Sequence, residues 1–91
     1  MKLRFLGHIK IDPSATEEEI AELLPAEQTR FAELVEQGLI NTFYLSHTRD
    51  EHWSLCIADS DDELKTALES LPLYKYMKIE YTQLVDDANQ A

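Results

Sequence analysis

The chain is 91 residues long, with 18 acidic and 8 basic side chains and a formal charge of −10 at pH 7. Such a surface repels a phosphate backbone, so nucleic-acid binding is not expected. With 44% hydrophobic and 29% charged residues and no apolar run of bilayer-spanning length, it reads as a soluble globular protein without a membrane span. The opening "MKLRFLGHIKID" alternates and lacks the unbroken apolar stretch of a signal peptide, which implies a cytoplasmic protein. So short a chain buries little surface, and a partner chain is expected to help.

Residues 2–11 alternate, with Leu3, Phe5, Gly7, Ile9 and Ile11 on one face and Arg4, Leu6, His8 and Lys10 on the other, the pattern of a strand. Thr16 and Glu19 then form a capping-box pattern that opens a helix. Apolar residues recur at Ile20, Leu23, Leu24, Phe31, Leu34 and Val35 until Gly38 offers a stop, and Pro25 predicts a kink or two abutting helical pieces. "LINTFYLS" (residues 39–46) and the alternating Trp53, Leu55 and Ile57 make a hairpin across "HTRDE". Ser60 and Glu63 repeat the capping-box pattern before a second helix whose stripe is Leu64, Ala67, Leu68 and Leu71. Met77, Ile79 and Tyr81 alternate as a last strand. Residues 1–84 are expected to form one domain and residues 85–91 a polar tail.

The order β-α-β-β-α-β predicts an α+β fold, the ferredoxin-like βαββαβ sandwich, with the first and third strands central and two helices on one side of the sheet. Both sheet faces carry apolar or aromatic residues: Leu6 opposes Phe5 on the first strand, and Tyr76 opposes Met77 on the last. Two helices cover one face, so a homodimer packed through its sheets, or a higher homo-oligomer, is expected. The single Cys56 cannot form an internal disulfide and reads as a small buried thiol. His8, His47 and His52 lack metal-ligand spacing, and no metal is expected.

The segment "SLPLYKYMKIEYTQL" (residues 70–84) resembles the C-terminal signature of the muconolactone delta-isomerase family. Upstream, "AELVEQGLINTFYL" and Trp53 before "SLCIADS" are similar to that family's helix, glycine, aromatic strand and hairpin, so the resemblance spans nearly the whole domain. It implies a dimeric α+β barrel and a cofactor-independent enzyme that moves a proton within a small carboxylated or lactone-type organic molecule. It also implies that "LPLYKYM" (residues 71–77) is packed wall and subunit contact. At two positions the chain departs from the family pattern: Leu45 stands where an arginine is typical, and Thr48 where a glycine is typical, which argues against muconolactone itself as substrate.

One residue in the helical stripe could do proton chemistry. The stripe skips a turn at position 27, and position 27 is a glutamate. Burial would raise its pKa toward that of a general acid/base. Gly7 leaves a gap beneath that helix, and the resemblance places Glu27 at the family's pocket glutamate. A carboxylate at the edge of a stripe can equally reach solvent or pair with Arg30. Tyr44 and Trp53 match aromatic positions of the family and are candidate substrate walls, or simply core and interface. Arg49 is a candidate anchor for a substrate carboxylate or a solvated loop residue. His8 is a candidate ligand contact, with a structural role in a sheet interface as its other reading. Beside the enzyme stands a second class of function, a non-catalytic oligomeric module that binds a small ligand or another protein.

Overall fold

The computed structural model describes residues 2–85, so the expected tail lies, beyond Val85, outside the described residues. Alternation builds the first strand, β1 (Leu3–Ile11), where Phe5, Gly7 and Ile9 are buried and Arg4, Leu6 and Lys10 are exposed. Helix α1 (Glu17–Glu36) starts at a complete capping box: the Thr16 hydroxyl accepts from the Glu19 N–H at 3.1 Å, and Glu19 Oε1 accepts from the Thr16 N–H at 3.0 Å. It runs as one helix through Pro25, so the expectation of two abutting pieces does not hold. Proline removes the N–H that would have bonded the Ala21 carbonyl. Both residues are exposed, so water can take that acceptor.

The helix ends in a Schellman motif. Gly38 adopts φ 82°, its N–H donates to the Val35 carbonyl at 3.0 Å, and the Leu39 N–H donates to the Leu34 carbonyl at 3.0 Å. Leu34 and Leu39, which flank the motif, are both buried in the core. Strands β2 (Ile40–Leu45) and β3 (Glu51–Ala58) form the hairpin, with Arg49 left-handed at φ 66° in the turn. Helix α2 (Asp61–Glu69) buries Leu64, Ala67 and Leu68. Its expected capping box is only half formed. Ser60 accepts from the Glu63 N–H at 3.1 Å, but the Glu63 carboxylate reaches one residue further back, to the Asp59 N–H at 3.2 Å.

A 3-10 turn, Tyr74–Tyr76, leads into β4 (Met77–Leu84). Tyr76 therefore does not oppose Met77 on the last strand. It ends the turn, and its hydroxyl donates to Glu19 Oε2 at 2.7 Å, a geometry that the strand alternation gave no reason to expect.

The sheet order is β2-β3-β1-β4, antiparallel throughout, with the first and third strands central as expected. The core lies between the sheet and the two helices, where Phe5, Leu34, Ile40, Ala58 and Leu64 are buried. Among the described residues, no helix covers the other face. Pairing Leu6 with Leu55 and Arg4 with Ile57 places the apolar side of β3 there. Leu6 is 47% exposed and Tyr44 66% exposed on that face. Among the described residues no helix is long and apolar enough to cross a membrane.

Candidate functional site

The buried line of α1 runs through Ile20, Leu23, Glu27, Phe31 and Leu34, and Glu27, at 8% exposure, is more buried than any of them except Leu34. Leu24 and Val35, counted in the stripe from the sequence, are 39% exposed. The side chain of Glu27 turns inward, away from Arg30, whose guanidinium instead donates to Ser70 Oγ at 2.8 Å and approaches Glu33 at 3.5 Å. Glu27 Oε1 accepts the backbone N–H of Leu73 at 2.9 Å. Burial pushes its pKa up, and the Leu73 hydrogen bond opposes part of that rise.

That bond explains the apolar connection between α2 and β4. Leu71 and Leu73 are 3% and 5% exposed, so the segment is a packed wall. It is fastened to α1 at two carboxylates, Glu27 through the Leu73 amide and Glu19 through the Tyr76 hydroxyl.

Glu27 opens onto a small cavity of about 20 Å³ between the helices and the sheet, room for about one water. Its floor is the inner face of β1 and β3: Gly7, Ile9, His52, Ser54 and Cys56. Gly7 contributes space, since a Cβ there would meet only the Ser54 carbonyl oxygen, at 3.8 Å. His52 and Ser54, two residues apart on one strand, point to the same side, and His52 Nε2 lies 2.6 Å from Ser54 Oγ. Burial lowers the His52 pKa, which keeps the imidazole neutral near pH 7. The ring packs against Phe31 and Phe43, at centroid distances of 5.5 and 5.9 Å. Burial also lifts the Cys56 thiol to about 11, far from a thiolate at neutral pH. Tyr81 lends its ring to the wall, while its hydroxyl is directed to Asp61 at 3.4 Å.

Of the five residues picked from the sequence, Glu27 alone lines this cavity. Tyr44, Trp53 and His8 form a row in register across β2, β3 and β1 on the helix-free face. There the His8 and Trp53 rings stack at 5.2 Å with 9° between planes, and His8 Nε2 lies 3.0 Å from Glu51 Oε1. Arg49 is exposed in the hairpin turn. The structure therefore does not bring Glu27 together with the other four. His52 and Ser54 escaped the sequence reading because the more apolar members of β3, Trp53, Leu55 and Ile57, drew attention to the opposite face. The signal was available in the parity of Cys56, since a buried thiol at 56 puts 52 and 54 on the core side.

Compared with known families, residues 3–89 match the sequence model of the family described as muconolactone delta-isomerase. Among solved structures, the crystal structure of muconolactone isomerase has a TM-score of 0.72 to this chain, covering 91% of each at 22% identity, a likeness of fold. A conserved protein of unknown function from Bacteroides thetaiotaomicron VPI-5482, described as a possible oxidoreductase, is more distant, with a TM-score of 0.47 and 14% identity over 91% of this chain and 97% of its own. No curated protein matches in sequence.

Proposed function

Since the chain belongs to the muconolactone delta-isomerase family, we propose that it catalyses a cofactor-independent proton shift within a small unsaturated carbonyl compound of the lactone type, with Glu27 as the proton carrier. The observation behind this reading is a buried carboxylate lining a small, largely apolar cavity, with one oxygen held by the Leu73 amide. Held in this way, the group keeps one orientation, and Oε2 makes no hydrogen bond to any other described residue.

In the proposed step, Glu27 Oε2 removes a proton from the saturated carbon between the carbonyl and the C=C bond. The C–H electron pair becomes a new C=C bond, and the carbonyl π pair moves to oxygen as an enolate. Returning the same proton to the far carbon of the conjugated system restores the carbonyl and the carboxylate. Nothing is oxidised or reduced, and no co-reactant is consumed. The raised pKa suits both halves, because a carboxyl that holds its proton more tightly is a stronger base and still releases it to carbon.

The helix-free face, with Leu6, Tyr44, Trp53 and Leu55, serves in this reading as the contact between two copies, and His8 and Trp53 belong to that contact rather than to the proton chemistry. The test is to incubate wild type and Glu27→Gln with unsaturated lactones in D₂O and follow carbon-bound deuterium by NMR. Glu27→Gln should keep the fold and lose about 10²–10⁴-fold in exchange rate. Equal exchange by both proteins would remove Glu27 from the mechanism. Absence of exchange with every compound would favour the ligand-binding module.

A further inference from the structure

All eight lysines and arginines of the chain lie among the described residues, and none lines the cavity that holds Glu27. Lys2 pairs with Asp59 at 3.2 Å, Lys10 approaches Glu51 at 3.7 Å on the helix-free face, Arg30 is engaged with Ser70, and Lys75 lies over the Tyr76 ring. Arg4, Arg49, Lys65 and Lys78 are exposed on the strands, the hairpin turn and α2. The polar groups presented to the cavity are Glu27, His52 and Ser54, together with the neutral Cys56 thiol.

Resting on the proposed proton shift at Glu27, we infer that the ligand of this cavity is an uncharged carbonyl compound whose carbonyl oxygen is held by the His52–Ser54 pair. Two physical facts carry the assignment. A neutral imidazole and a hydroxyl together own one N–H and one O–H. One of these hydrogens is spent in the 2.6 Å contact between them. With Nε2–H donating to Ser54 Oγ, the serine hydroxyl hydrogen remains for an acceptor on the ligand; with the hydroxyl donating to Nε2, the hydrogen that remains is on Nδ1. An anionic ligand, by contrast, would sit beside a carboxylate in a space that no lysine or arginine lines. Because the cavity holds about one water, entry has to move its walls. A ligand that also carried a charge would add the cost of desolvating that charge.

The test compares a butenolide bearing an acetic acid side chain with its methyl ester, titrated at pH 7.5 into protein labelled for observation of the histidine side chains by NMR. The ester should bind at least about tenfold more tightly than the acid and shift the His52 imidazole resonances. His52→Phe keeps a ring of similar size and removes the donor; it should weaken the ester about tenfold, the worth of one hydrogen bond. Binding of the corresponding dihydrofuran without the carbonyl should be unchanged. Gly7→Ala adds one methyl to the cavity floor without a clash and should weaken every ligand while leaving the melting temperature near that of wild type. Equal or tighter binding of the acid overturns the inference, and so does a Gly7→Ala protein that binds as wild type does. If neither compound binds, both this inference and the lactone reading fall. Ester binding without deuterium exchange in D₂O supports the inference and removes the isomerase.

Discussion

Glu27 is a residue whose placement suits chemistry better than stability. Its folded pKa is raised above that of the unfolded chain, so between the ordinary glutamate value of 4.5 and the raised one the unfolded state sheds its proton while the folded state keeps it. Stability therefore falls as pH rises through that window and stays lower above it. Glu27→Gln removes this loss. It should melt at or above the wild-type temperature at pH 7, with the difference vanishing below the unfolded pKa, as differential scanning calorimetry across pH 4–8 would show. A mutant that melts lower at pH 7 would mean that the Leu73 hydrogen bond outweighs the burial of the charge. Glu27 was legible in the sequence because helical phase marks an intruder in an apolar stripe. His52 and Ser54 were less so, because strand parity says which residues share a face but not which face meets the helices.

At the scale of elements, local chemistry was read most reliably where a single backbone geometry demands a single residue type. The Thr16 and Glu19 box and the Gly38 stop both formed as the sequence implied. Gly38 is required at φ 82°, where a Cβ would crowd the backbone even though nothing lies within 4 Å of its ideal position. Gly38→Ala should therefore cost about 1 kcal/mol, a fall in melting temperature of about 5 °C, measured by thermal denaturation. Less legible were the half-formed box at Ser60 and the path of α1 through Pro25. Both outcomes depend on which groups can reach water, and that is decided by packing rather than by spacing. Tyr76 was misplaced by one element for a related reason: its hydroxyl found Glu19, 57 residues away in sequence.

For the whole molecule, strand order and layer arrangement followed from the alternation of elements, and the apolar residues on both sheet faces were legible in the sequence. The structure puts Leu6 at 47% exposure, and Leu55 and Ile57 half-buried, on the helix-free side. Apolar surface of this kind is what a contact between two copies would cover. Light scattering should give at least twice the 10.5 kDa chain mass. Leu6→Glu places a charge at the centre of that face, opposite Leu55, and should shift the protein toward the monomer while leaving the cavity side intact. A monomeric wild type at micromolar concentration would show that the face is simply tolerated in water.

The bond from the Leu73 amide to Glu27 makes one main-chain group a witness to the charge of the site. An amide proton donated to a carboxylate is deshielded, and it moves when that carboxylate takes up a proton. The Leu73 resonance in an ordinary ¹⁵N correlation spectrum is thus a built-in indicator, 46 residues from Glu27 in the chain and 2.9 Å from it in space. It reads the ionisation of the acid directly, without a ligand, a label on the side chain or an assay.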